Sequence, residues 1–90
     1  MSCNLKQDIS IGKNLKLLRK RMKLTQAEAA AQLQVLGIDI TPEILAKMEQ
    51  GKYSVKVSVL LAMKRIYQVD TFDQFFEDLT ETMEYKMHKL

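Results

Sequence analysis

The fold is decided by residues 25–51, which read TQAEAAAQLQVLGIDITPEILAKMEQG. Thr25 is followed three residues later by Glu28, which is the spacing of a capping box: the hydroxyl accepts the backbone N–H of the glutamate, and the carboxylate accepts the N–H of the threonine. Apolar side chains then recur at helical spacing, at positions 29, 30, 33 and 36. The pattern predicts a helix that starts after Thr25 and continues through Leu36.

A second helix start follows at once. Gly37 can adopt the left-handed conformation that ends a helix, and Ile38 can then pack back on Leu33. Thr41 is a favourable N-cap, and Pro42 occupies the first helical position, where its missing N–H costs nothing. The spacing therefore predicts a short loop and then another helix.

This second helix is predicted to run from Thr41 to Gln50 and to end at Gly51. Ile40 and Leu45 have the spacing of a hydrophobic staple. The inner stripe of the helix consists of Ile44, Leu45 and Met48. Two short helices joined by a short loop form a helix-turn-helix, although any helical hairpin in a small bundle shows the same pattern.

Three short motifs resemble the lambda-repressor-like helix-turn-helix of Cro and cI-type regulators, the XRE family. They are Leu24-Thr25-Gln26, Ala30 and Met48-Glu49-Gln50-Gly51. The family typically opens its first helix with Leu-Thr-Gln and closes its second with Ile-Glu-x-Gly. The resemblance extends from about Ile11 to Leu79. It implies an all-α, five-helix domain that binds double-stranded DNA. The segment between the two helices is longer than the family's tight turn, and we attribute the difference to one more turn of the first helix and a slightly longer loop.

Composition places the chain among ordinary globular domains. It has 90 residues, of which 47% are hydrophobic and 28% charged, values that suit one domain. The only cysteine, Cys3, favours a reduced cytosolic thiol. No apolar run approaches the ~20 residues of a membrane span, and the first ten residues lack the apolar core of a signal peptide. We therefore expect a cytoplasmic protein without membrane contact.

Charge alternates in sign along the chain. Residues 1–24 hold seven basic residues and one acidic residue, and residues 51–69 hold four basic residues and no acid. Residues 25–50 hold four acids and one lysine, and residues 70–90 hold six acids and two lysines. Basic segments that flank a DNA-reading unit suit a phosphate clamp, although a solvated helix face produces the same pattern.

Three further helices are predicted around this unit. The first runs from about Ile11 to Met22, and it buries Ile11, Leu15, Leu18 and Met22 while its Lys and Arg residues fill the other faces. The fourth runs from about Val57 to Tyr67 and is nearly apolar all round, so we expect Leu61 to be buried. The last begins near Phe72, carries a stripe at positions 72, 76, 79, 83 and 90, and continues to the C-terminus. The chain is thus interpreted as one domain, 1–90, with a core of about 9–79 and a helical extension, 80–90.

The resemblance also assigns DNA contacts. It implies that Gln26 anchors a phosphate and that the start of the Thr41–Gln50 helix lies in the major groove. The base-contacting positions are Thr41, Pro42, Glu43, Ala46 and Lys47, and the backbone-contacting loop positions are Lys52, Tyr53, Ser54 and Lys56. Because Pro42 and Ala46 offer no side-chain hydrogen bond, a protein-interaction module that keeps this fold without reading bases stays open as the alternative.

A symmetric assembly is expected, because one helix-turn-helix covers only a few base pairs. The apolar stripe beyond the core is the candidate homodimer contact, which would suit a palindromic operator: Phe76, Leu79, Met83, Met87 and Leu90. The other interpretation is that this tail folds back or frays.

The sequence shows no catalytic triad, metal-ligand spacing or glycine-rich phosphate loop, so we expect no enzymatic activity, metal, cofactor or small-molecule ligand.

Overall fold

The computed structural model describes residues 10–77, and this part of the chain is all-helical. Its elements are α1 (Gly12–Arg21), α2 (Gln26–Val35), α3 (Pro42–Glu49), α4 (Val57–Ile66) and a 3₁₀ helix (Phe72–Phe76). α3 packs against both α1 and α2, α4 packs against α2, and the 3₁₀ helix packs against α1. The all-α prediction is confirmed. The predicted count of five helices is not matched within residues 10–77, which contain four α-helices and one 3₁₀ helix.

The helices of residues 25–51 start where local chemistry predicts. The Thr25 hydroxyl accepts the Glu28 N–H at 3.1 Å, and the Glu28 carboxylate accepts the Thr25 N–H at 2.9 Å. In α3 the Thr41 hydroxyl accepts the Ile44 N–H at 3.2 Å, and Pro42 stands at the first position. Both caps satisfy backbone donors that the helix itself leaves unpaired.

The four α-helices share one kind of ending. The residue after each C-cap has a positive φ: +59° at Lys23, +86° at Gly37, +76° at Gly51 and +52° at Gln68. In each case the next residue donates its N–H to the carbonyl five residues back, at 2.8–3.4 Å. This is the Schellman arrangement. The sequence predicted only the two endings that use glycine.

The core is formed by one face of each helix. Its fully buried side chains include Leu15, Leu33, Leu45, Val55, Met63, Tyr67 and Phe75. Two burial predictions differ from the structure. Leu61 is 56% exposed, so its predicted burial is wrong, while Leu60 beside it is 4% exposed. α4 is apolar nearly all round, but only one of its faces meets α2 and the core. Met22 is only partly buried at the end of α1.

The last predicted helix is also wrong within the described residues. The 3₁₀ helix stops at Phe76, and Glu77 is extended, with ψ +142°. Phe75 is fully buried, whereas Phe72 and Phe76 are 39% and 38% exposed. The three-residue turn of a 3₁₀ helix brings the middle aromatic inward instead of the predicted stripe.

Asn14 of α1 binds the 3₁₀ helix and the residue after it through its side chain. Its side-chain amide donates to the carbonyls of Phe75 and Glu77, at 2.8 and 3.0 Å. The predicted 80–90 extension lies outside the described residues. So do four of the five residues predicted to form the dimer contact: Leu79, Met83, Met87 and Leu90.

Candidate nucleic-acid interface

α3 presents one polar face to solvent and one apolar face to the core. Glu43, Lys47 and Gln50 are exposed, and their spacing of four and three residues places them on one side of the helix. On the opposite side Leu45 and Met48 are buried. Glu43 and Lys47 were predicted from the sequence to contact bases, whereas Gln50 was not. The spacing of three residues between Lys47 and Gln50 was the signal that could have identified Gln50.

The other predicted contact residues are accessible to different degrees. Thr41 at the start of α3 is exposed, as are the loop residues that connect α3 to α4: Lys52, Tyr53, Ser54 and Lys56. Pro42, Ala46 and Gln26 are partly buried. The structure therefore leaves the start of α3 and the loop after it open to a ligand, with Gln26 recessed.

Gln26 is recessed because it contacts the end of α3. Its side-chain nitrogen donates to Oε1 of Glu49 at 3.1 Å. The amide group has a second N–H and a carbonyl oxygen. A phosphate contact by Gln26 would therefore be made by a side chain that α3 already orients.

A buried ion pair ties this contact to α1. Arg19 donates from Nε to Oε2 of Glu49 at 2.7 Å and from a terminal nitrogen to Oε1 at 3.0 Å. Its other terminal nitrogen donates to the Leu24 carbonyl at 2.7 Å. The two side chains are 7% and 2% exposed. The prediction that all basic residues of the first helix fill solvent-facing positions is therefore wrong for Arg19. A bidentate geometry of this kind fixes both distance and orientation.

The charges of Arg19 and Glu49 both act on the Tyr67 phenol. The hydrogen bonds that Arg19 donates to Glu49 raise the pKa of Arg19, which keeps the guanidinium charged. Burial, and secondarily the charge of Glu49, raise the pKa of the Tyr67 phenol above its ordinary value, while Arg19 opposes the shift. Within the described part of the chain the hydroxyl has no hydrogen-bond partner. Tyr67 thus stays neutral and contributes its ring to packing.

Gly12 allows α1 and α3 to touch along their backbones. A Cβ atom at this position would lie 2.5 Å from the carbonyl oxygens of both Met48 and Glu49. Residue 12 was not singled out from the sequence. The available signal was a glycine inside a helical apolar pattern, which costs about 1 kcal/mol relative to alanine and therefore suggests a packing reason.

A family model described as a helix-turn-helix domain matches residues 10–73. The chain belongs to the helix-turn-helix domain family. Comparison with curated proteins and with solved structures gives no match. Helix-turn-helix domains are typically DNA-binding modules without enzymatic activity. Among residues 10–77, no group of three potential metal ligands occurs, and no helix is long and apolar enough to cross a membrane.

The turn of the helix-turn-helix lies between Val35 and Pro42. α2 continues to Val35 with Leu36 as its C-cap, and α3 begins at Pro42, which agrees with the predicted continuation of the first helix toward Leu36 and the loop after it. The turn and the loop after α3 border an open cavity of about 240 Å³, whose lining includes Ile38, Ile44, Tyr53, Lys56 and Val59. The side chain of Gln34 donates to the Ile40 carbonyl at 2.8 Å and closes the turn.

The helix-turn-helix surface carries charges of both signs. Glu28 is fully exposed at the start of α2, and its hydrogen bonds with the Thr25 backbone and hydroxyl hold the pKa of its carboxyl below the ordinary value. Glu43 adds a second carboxylate in the first turn of α3. Lys47 and Lys52 are exposed at the other end of α3 and beyond. Positive charge is therefore concentrated at the C-terminal half of α3 and its following loop.

Proposed function

We propose that this chain is a Cro/cI-type transcriptional regulator that binds a specific double-stranded DNA sequence with α3 in the major groove. The observation that carries the proposal is the two-sided character of α3. Its inner face is fixed by the core and by the Arg19–Glu49 pair, while Glu43, Lys47 and Gln50 face outward. A rigidly held helix with polar groups on its outer face meets the geometric requirement for base reading.

Each outward side chain suits a different base edge. Lys47 can donate to the O6 and N7 acceptors of guanine, Gln50 can pair with adenine, and Glu43 can accept from the amino group of cytosine. Ala46 offers a methyl contact for thymine. Thr41 and Pro42 would stand at the edge of the groove. The proposed recognition is therefore mixed in charge and depends on few cationic contacts.

Phosphate contacts are assigned to the loop after α3. Lys52, Ser54 and Lys56 supply ammonium and hydroxyl donors, and Tyr53 a phenol, which position a protein on DNA without reading sequence. Gln26 is the proposed phosphate anchor on α2. Because Glu28 places a carboxylate at the same helix start, we expect the loop to contribute more affinity than Gln26.

The regulator is proposed to act as a homodimer on a palindromic operator. Two reading helices about 34 Å apart then reach successive major grooves on one face of the DNA. The alternative function, a protein-interaction module that keeps this fold, is favoured by one observation: carboxylates occupy the first turns of both α2 and α3.

The test is selection from random duplex DNA at moderate salt, followed by affinity measurements on the selected site and on an unrelated duplex. We expect enrichment of one palindrome. Lys47→Ala should weaken binding to the selected site by about 1–3 kcal/mol and reduce discrimination. Lys52→Ala should weaken binding to both duplexes, because a phosphate contact carries no sequence information. Affinity for any duplex should fall steeply as salt rises.

The control is Lys16→Ala, which removes an equal charge from an exposed position on α1. It should leave discrimination unchanged. The triple variant Gln26→Ala, Lys47→Ala, Lys52→Ala tests the whole interface. If that variant binds every duplex as tightly as the wild type, the DNA-reading proposal is wrong and the protein-interaction module is favoured.

A further inference from the structure

Exposed apolar side chains that are not among the proposed DNA contacts lie at the end of α2 and along α4. Val35 and Leu36, at the end of α2, are 86% and 38% exposed, and they border a shallow cavity of about 230 Å³ together with Ile66. Along α4, Leu61 and Val57 are 56% and 45% exposed and lie four residues apart on one side of the helix. We name these five residues the α2–α4 strip. Three of the five, Val35, Leu36 and Ile66, border one cavity, and a group of exposed apolar side chains marks an interaction site more than a single exposed leucine does.

The charge around the strip is positive. Arg65 lines the same cavity as Val35 and lies four residues after Leu61. Lys64, in the last turn of α4, places its Nζ 5.6 Å from the centre of the Phe72 ring. No acidic residue occurs in the sequence between residues 51 and 69. The strip therefore suits an amphipathic segment whose polar side is acidic.

The chain itself contains such a segment in residues 78–90, which lie outside the described residues. Its apolar side chains recur at steps of three and four residues: Leu79, Met83, Met87 and Leu90. Its acids, Asp78, Glu81 and Glu84, lie in the first seven residues, and Lys86 and Lys89 follow them. A helical segment of this length would extend about 20 Å, compared with about 15 Å for α4. The segment is therefore long enough to cover the strip from end to end.

The place where the chain leaves the described fold favours docking on a second copy. The chain leaves the described fold beside α1, where Asn14 holds the carbonyls of Phe75 and Glu77, whereas the strip lies on α2 and α4. We propose that residues 78–90 of one copy dock on the α2–α4 strip of a second copy, with the acids facing Arg65. The exchange is symmetric, so each dimer contains two equal contacts. The inference rests on the homodimer of the proposed function and names the surfaces that form it.

Two full-length variants test the contact. Leu61→Glu damages the strip and leaves the segment intact, while Met83→Glu does the reverse. In sedimentation at micromolar concentration without DNA, we expect the wild type to dimerise and each variant to dissociate at least about tenfold more readily, because a buried aliphatic contact is lost. An equimolar mixture of the two variants should regain a 1:1 heterodimer, since one intact strip then meets one intact segment.

Leu17→Glu is the matched control, because Leu17 is 59% exposed on α1 and lies outside the strip. It should dimerise like the wild type. Pairing of the two segments with each other would leave Leu61→Glu dimeric, and the mixture would then contain Leu61→Glu homodimers and no heterodimer. This result would overturn the inference. A monomeric wild type would overturn it as well. DNA affinity is measured separately on the same proteins, so a loss of base reading cannot be mistaken for a loss of association.

Discussion

At the scale of single residues, Gly12 decides how closely α3 approaches α1. The carbonyls of Met48 and Glu49 occupy the space that any side chain at position 12 would need. These atoms belong to the backbone of α3, so relief requires movement of the whole helix. The absence of a Cβ atom at position 12 therefore helps to set the position of α3, which carries the proposed DNA-contacting surface.

We predict that Gly12→Ala lowers the free energy of unfolding by about 2–4 kcal/mol, because the overpacking outweighs the better helix propensity of alanine. Chemical denaturation measures the change. Gly37→Ala is the control: no atom lies within 4 Å of its Cβ position, but its φ is +86°, so it should cost only about 1–2 kcal/mol of backbone strain. Equal costs at the two positions would contradict the steric argument.

The ring and the hydroxyl of Tyr67 have opposite effects on the stability of the fold. The ring is fully buried, while the hydroxyl lacks a partner within the described residues. Removing an unsatisfied buried hydroxyl is nearly neutral or stabilising. We therefore expect Tyr67→Phe to leave the free energy of unfolding within about 1 kcal/mol of wild type at neutral pH, or to raise it.

The same variant has a predicted pH dependence. Burial raises the pKa of folded Tyr67 above the ordinary value of 10.0. Above about pH 10 the unfolded chain releases the proton and the folded chain keeps it, so wild-type stability falls as pH rises. Tyr67→Phe lacks this group and should lose less stability between pH 9 and 11. Identical losses in denaturation curves over that range would show that Tyr67 titrates normally in the fold.

At the scale of elements, α4 shows the limit of periodicity as a guide to burial. Its sequence, VSVLLAMKRI, is apolar on nearly every side, so the sequence gives no reason to choose between Leu60 and Leu61. In the structure Leu60 is the buried one of the two, because α2 and the core lie on its side of α4. Helix boundaries were more predictable, since caps at Thr25 and Thr41 and glycines at 37 and 51 act through neighbouring backbone groups.

The two leucines of α4 form a matched pair for measurement. Leu60→Ala should cost about 2–5 kcal/mol, because it leaves a cavity in the core. Leu61→Ala should change the free energy of unfolding by no more than about 0.5 kcal/mol, because the side chain is largely in solvent. Thermal or urea unfolding of both variants provides the comparison. A large cost at Leu61 in dilute monomeric protein would mean that the face of α4 is assigned incorrectly.

At the scale of the whole molecule, one buried pair connects α1, α2 and α3. Arg19 comes from α1, Glu49 from α3, and Gln26 of α2 donates to the same carboxylate. The pair neutralises its own charges inside the fold. It therefore acts as an orienting contact among the three helices, and removal of one partner leaves the other charge buried.

We predict that Arg19→Met lowers the free energy of unfolding by about 3–5 kcal/mol, because Glu49 is left uncompensated. The double variant Arg19→Met, Glu49→Leu should recover most of this loss, since apolar replacements of similar volume are often neutral or better. A double-mutant cycle measures the coupling. Additive losses in the double variant would show that the two side chains contribute independently.

What the sequence determined by itself was local. Thr25 with Glu28, Thr41 with Pro42, and the glycines at 37 and 51 define the two central helices through contacts within a few residues, and their order carries the helix-turn-helix resemblance. Tertiary structure decided the rest. Arg19 and Glu49 look like surface charges until α1 and α3 meet, Leu60 and Leu61 are equivalent until α2 covers one of them, and Phe75 points inward because the segment before Glu77 turns as a 3₁₀ helix against Asn14. These outcomes depend on which surfaces come together across distant parts of the chain, and no spacing within a single helix specifies that.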